Sequence, residues 1–222
     1  APRVAAQLMD TYRQAKNLPR ALEEAEAAHG KYPDDRMITL VRASLLADMG
    51  KGETAIDETR KLLNGKDDRD TYIALAQIHE KLKDYRGMGK ALDEAEKLSE
   101  SEDEKETIYF MRGAMLERMK QHEESEREFR KVLSMNPDSA SALNYLGYMF
   151  ADRGVRLEEA HKMISRALDL DPYNGAYLDS MGWVLYRMDK FEEAETYLRQ
   201  ALERVSRDPT VHDHLGDVFA KQ

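Results

Sequence analysis

The chain has no cysteine among its 222 residues. That removes disulfides, thiolate metal sites and cysteine nucleophiles together, and it suits an oxidising or a reducing compartment equally. Aromatic residues make up only 8%, with a single tryptophan. Apolar runs stay far short of the roughly 18 residues that a membrane-spanning helix needs, so no span is expected. Positive charge is in deficit: 34 Lys and Arg against 43 Asp and Glu give a net charge of −9. A surface of that sign repels phosphate backbones, so nucleic acid is not an expected partner. The chain opens on Ala1, Pro2 and Arg3, with no initiator Met and no signal sequence, which reads as a processed protein or an excised piece. Neither a glycine-rich phosphate loop nor a nucleophile motif appears.

What is present is a repeat. Pro33, Pro137 and Pro172 each follow an apolar-periodic stretch and lack the backbone donor needed to continue a helix. Small residues recur at matching places upstream: Gly113, Gly147 and Gly182, with Ala160 and Ala194 following the last two. Aligned on these marks, repeats start at Pro2, Arg36, Arg69, Glu106, Ala140, Gly175 and Pro209, spaced by 34, 33, 37, 34, 35 and 34 residues. The expected organisation is one array of repeats over 1–222: 2–35, 36–68, 69–105, 106–139, 140–174, 175–208 and a half repeat, 209–222.

Each mark has a packing reason. Two antiparallel helices approach closely only where a side chain is small, so Gly147 should meet Ala160 and Gly182 should meet Ala194. Ala28, Ala95, Ala167 and Ala201 then let each second helix seat on the next hairpin. Leu143, Leu146, Phe150 and Ile164 fill one repeat, and Leu178, Met181, Leu185 and Leu198 the next. Tight turns are expected at Asn17-Leu18-Pro19, Gly50-Lys51-Gly52 and Asp189-Lys190-Phe191. The middle departs from this pattern. Arg42 and Arg112 stand where an apolar residue is usual, and Met88 and Ser125 replace the usual alanine. The acidic run from Ser99 to Glu104 is expected to be a solvated connector that lengthens its loop.

In these marks the sequence resembles the tetratricopeptide-repeat family over nearly its whole length. The resemblance implies an all-α, right-handed superhelical solenoid of antiparallel helix hairpins, with first helices lining a concave groove. It also implies a non-catalytic scaffold or adaptor that holds a protein or peptide there. In the family, the groove is lined from the second, fifth, ninth and twelfth places of each repeat. Early repeats carry mixed residues at those places, among them Asp10, Ser44 and Gln77. These do not supply the Lys/Asn/Arg clamp of the family's chaperone-tail binders. The C-terminal places are richer. Asn144 and Tyr148, then Asp179 and Trp183, then Asp213 and Asp217 repeat one spacing, and Tyr186 and Arg187 extend the patch. Asn and Asp can hydrogen-bond a peptide backbone while a ring packs its side chain. Asn144 to Tyr148 with Asp152 and Arg153, and Leu178 to Val184, are similar to bacterial envelope lipoproteins that act as adaptors. This implies a bacterial periplasmic or envelope setting, with the cytoplasm as the alternative.

Other chemistry finds little support. His212 and His214 are two apart, which on a helix turns them about 200° from one another and away from a shared metal. His29, His79, His122 and His161 are scattered. Asp169 to Gly175 resembles the start of a calcium loop, but its twelfth place is Ser180 rather than a closing glutamate. No catalytic residue, metal or cofactor is therefore expected. At the end of the chain, Leu215 and Phe219 share a helix face beside Gly216, with no second helix to cover them. Such a face should either continue into further chain or pair with another copy, so the alternative function is a self-assembly module forming homodimers or larger homo-oligomers through this helix.

Overall fold

A computed structural model describes residues 2–66 and 68–222. Ala1, at the head of the expected array, and Asp67, near the end of its second repeat, lie outside the described residues. Among those described the fold is all-α: thirteen helices and no strand. Cα packing divides the chain into two compact units, Ala1–Ile108 and Tyr109–Gln222.

The first unit holds α1 (Pro2–Gln14), α2 (Leu18–Lys31), α3 (Arg36–Asp48), α4 (Gly52–Arg60), α5 (Asp68–Lys81) and α6 (Tyr85–Lys97). They pack as the hairpins α1/α2, α3/α4 and α5/α6. Met9, Ala21, Ala25 and Ile38 form one apolar cluster, and Ala43, Leu46, Ala55 and Ile78 another. The unit boundary falls inside α7 (Glu102–Arg118). The second unit continues with α8 (His122–Met135), α9 (Ala140–Arg153), α10 (Leu157–Leu170), α11 (Gly175–Arg187), α12 (Phe191–Arg204) and α13 (Pro209–Phe219). Its core includes a large cluster in which Phe129, Phe150, Leu146, Ile164, Leu185 and Leu198 are fully buried.

Local chemistry sets the helix ends. Asn17, Asp35, Asp84, Asn174 and Asp208 cap α2, α3, α6, α11 and α13 by accepting backbone hydrogen bonds through their side chains. Hairpin turns pass through left-handed residues, for instance Gly50, Asp189, and both Gly154 and Arg156 between α9 and α10. At Gly154 the flanking bonds run from Gly154 N to Ala151 O and from Val155 N to Phe150 O, which closes the end of α9 with a left-handed cap. Helices α2, α8 and α10 stop two residues before Pro33, Pro137 and Pro172.

Close approach explains the glycines. A Cβ on Gly147 would lie 2.8 Å from Ile164 Cγ1 and 3.1 Å from the Ala160 carbonyl oxygen. On Gly182 it would lie 2.5 Å from Leu198 Cγ and 3.2 Å from the Ala194 carbonyl oxygen. Ser125, in place of alanine, is fully buried and donates its hydroxyl to the Gly113 carbonyl at 2.8 Å.

Two expectations need correction. The acidic run is not all connector, because Glu102, Asp103 and Glu104 form the first turn of α7. Ser101 Oγ accepts from Glu104 N, while Glu104 Oε2 accepts from the amides of Glu100 and Ser101, a reciprocal capping box. The face of α13 is also less bare than the sequence suggests. Leu215 and Val218 are buried against the unit, and Phe219, 47% exposed, has the Arg199 guanidinium over its ring at 5.5 Å.

Candidate binding cavity of the C-terminal unit

First helices supply most of the wall of a cavity of about 380 Å³ in the second unit. Glu117 comes from the end of α7, Asn144, Tyr148 and Asp152 from one side of α9, and Ala176, Asp179 and Ser180 from α11. Asp208, Thr210 and Val211 close it at the start of α13. Asn144, Tyr148 and Asp152 are four apart along α9, so one helix face delivers all three to the same space.

The polar groups here are unequally satisfied. Asn144 is 9% exposed, and its Oδ1 is buried without a hydrogen-bond partner. Asp179, 8% exposed, holds His214 Nδ1 at 2.9 Å, and His214 is itself 6% exposed. Asp208 is occupied in capping α13, accepting from Thr210 N. The Tyr148 hydroxyl is pushed up to about 12, first by burial and then by the negative charges of Asp152, Asp179 and Glu117. Tyr148 therefore stays a neutral hydrogen-bonding group throughout the ordinary pH range.

Asn144, Tyr148 and Asp179 are thus brought together at one cavity. The other sequence candidates sit elsewhere. Trp183 is stacked between Tyr186, at 4.9 Å between ring centroids, and His214, at 4.2 Å, and its Nε1 is buried without a partner. It is a half-buried filler of the α11–α13 junction and not a ring standing open to a ligand. Tyr186 packs beneath it, and Arg187 donates to the Asp152 carbonyl at 2.7 Å, tying α11 to α9. Asp213 and Asp217 are exposed on α13 and do not line the cavity, because Val211, His214, Leu215 and Val218 occupy the inward face of that helix. His214 is the residue that sequence reading passed over. His212 lies on the exposed side, donating through Nε2 to the Ser206 carbonyl at 3.0 Å, so the two histidines face apart.

Sequence comparison agrees with this architecture. Residues 110–175 and 175–207, both in the second unit, match tetratricopeptide-repeat profiles. Residues 110–207 thus carry tetratricopeptide repeats. A TPR repeat-containing protein of Pseudomonas aeruginosa is 44% identical over 110 residues, which is 50% of this chain and 18% of that protein. The chain thus corresponds to a small part of that longer relative. A tetratricopeptide repeat protein from Parabacteroides merdae has the same fold with a TM-score of 0.75 at 16% identity, over 98% of this chain and 84% of that one. YrrB, titled a TPR protein with an unusual peptide-binding site, aligns with a TM-score of 0.56 at 16% identity, over 85% of this chain and 96% of that one. At such identities the likeness to the two structures is one of fold alone. No helix among the described residues is long and apolar enough to cross a membrane.

Proposed function

We propose that the C-terminal unit holds an extended segment of another protein in the cavity walled by α9, α11 and α13, as a non-catalytic scaffold or adaptor. One observation carries this reading: the Asn144 amide oxygen is buried at the cavity wall with nothing to bind, beside Tyr148. A buried unpaired acceptor is costly, and a ligand that donates to it recovers that cost. The cavity is of a size that suits a side chain together with its flanking backbone. The tetratricopeptide repeats of residues 110–207 support the same reading, as does the peptide-binding site named for YrrB. A bacterial envelope setting is part of this proposal, supported by the similarity of residues 144–153 and 178–184 to envelope adaptors. Cell fractionation tests it. Self-assembly through α13 has less behind it, since Phe219 stands nearly alone and single exposed apolar side chains are ordinary.

The test is binding of a degenerate pool of short labelled peptides, read by fluorescence anisotropy. Asn144→Leu and Tyr148→Ala are each expected to weaken binding by on the order of tenfold or more, as truncation of a central contact does. Circular dichroism should stay that of the parent. Unchanged affinity in both variants, with the fold intact, would place the binding surface elsewhere.

A further inference from the structure

The cavity has a sign. Carboxylates reach its wall from four separate places: Glu117 on α7, Asp152 on α9, Asp179 on α11 and Asp208 at the head of α13. Against them stand Arg153, exposed, and the half-buried ring of His122 in the lining, with Lys120 Nζ 3.8 Å from Glu117 Oε1, Arg187 on the Asp152 carbonyl and His214 on Asp179 behind it. Three of the four carboxylates act together on the Tyr148 hydroxyl, so their fields converge at one point and are not spread over the surface. A cleft lined by one sign of charge between low-dielectric walls concentrates the opposite charge.

Hydrogen-bonding capacity points the same way. Two lining residues carry a buried atom without a partner, Asn144 at Oδ1, an acceptor, and His122 at Nδ1, and the surrounding carboxylates accept only. A carboxylate or phosphate ligand would meet like charge from four carboxylates, with the Arg153 guanidinium, exposed, against them. An aliphatic side chain would leave Asn144 Oδ1 still unpaired. Lysine and arginine side chains carry donors and no acceptor, with positive charge at the tip and a methylene stem behind it. Met149, Val205 and Val211 supply apolar wall for such a stem. The rings of Tyr145 and Tyr148 flank the same space and are surfaces on which a cation can lie.

We infer that this cavity is a selectivity pocket for a basic side chain, lysine or arginine, of the bound peptide, with Asn144 and the carboxylates of Asp152 and Glu117 as its recognising groups. The inference rests on the peptide-holding reading above and adds to it which residue the pocket selects.

Short N-acetylated, C-amidated peptide pools test it, with the central residue fixed as Arg, Lys, Leu or Glu and degenerate flanks. The Arg or the Lys pool is expected to bind on the order of tenfold more tightly than the Leu pool, with the Glu pool weakest. Whichever basic pool leads identifies the preferred cation. Added salt should narrow the gap, as should the double variant Glu117→Gln with Asp152→Asn. Asp152→Asn alone, on an exposed side chain, serves if the double variant does not fold. A Leu or Glu pool binding as tightly as the basic pools overturns the basic pocket while leaving the peptide reading standing. A gap unchanged in a folded variant overturns the assignment of Asp152 and Glu117. Failure of every pool to bind the parent protein overturns both readings.

Discussion

Arg42 and Arg112 stand where an apolar side chain would be usual, and each is answered by a glutamate at the same distance along the chain. Arg42 Nη1 donates to Glu58 at 2.6 Å, Arg112 Nη1 lies 3.6 Å from Glu128 Oε2, and all four side chains are under one-fifth exposed. Moving such a pair out of water costs about as much as its attraction returns, but half a pair is expensive. Glu58→Leu is therefore expected to lower unfolding stability by roughly 2–3 kcal/mol, with the double change Arg42→Met and Glu58→Leu regaining most of it. Urea denaturation reads both, and a single variant as stable as its parent would show that Arg42 finds water instead. The pairing was legible in principle, because the same Arg-to-Glu spacing recurs in both departing repeats. Taken one at a time, each arginine looks only like a defect. His214 was legible too: with Val211, Leu215 and Val218 it makes a helical stripe, at i, i+3, i+4 and i+7. Family groove places pointed instead to Asp213 and Asp217, which that stripe turns outward. Trp183 does occupy a groove place, but spacing along one helix cannot show that a histidine from another helix will cover its face.

At the scale of the element, α7 shows how a few polar groups extend a helix. Its acidic first turn suits the positive end of the helix dipole, and the Ser101–Glu104 box satisfies amides that would otherwise lack partners. Two backbone donors, Glu100 and Ser101, hold the Glu104 carboxyl below the usual glutamate range. A carboxyl depressed on folding stabilises while it is ionised, above its unfolded pKa, and that contribution disappears as pH falls through its folded value. The first turn of α7 is thus expected to fray in mild acid before the rest of the helix. Ser101→Ala combined with Glu104→Gln should produce the same fraying at neutral pH. Hydrogen exchange at residues 102–105 is the measurement, and equal protection in parent and variant at neutral pH would mean the box is dispensable. The motif Ser-x-x-Glu stood in the sequence, hidden inside a run whose charge alone suggested a solvated loop. The hairpins were clearer for a stronger reason. Only a residue without a Cβ fits 2.8 Å from Ile164, so glycine at 147 is close to a geometric requirement.

At the scale of the molecule, stability is divided. The unit ending at Ile108 holds clusters around Met9 and Ile38 and around Leu46 and Ile78, with Leu75, Met88 and Leu92 buried in α5 and α6, and the unit from Tyr109 holds a core cluster running from Ala114 to Val218. In a stack of hairpins each repeat depends chiefly on its neighbours, so damage should stay local. Gly147 lies inside the larger core, its backbone against Ile164 and the Ala160 carbonyl. Gly147→Leu must drive α9 from α10, and overpacking of this kind costs roughly 1–3 kcal/mol. Because Asn144 and Tyr148 ride on the same helix, displacement of α9 should also weaken peptide binding, although neither side chain has changed. Hydrogen exchange should therefore speed up across α9, α10 and α11 while the amides of α1 to α4 keep their parental rates. If α1 to α4 were loosened as much as α9, stability would be shared along the whole chain, and the local account of both packing and binding would be wrong.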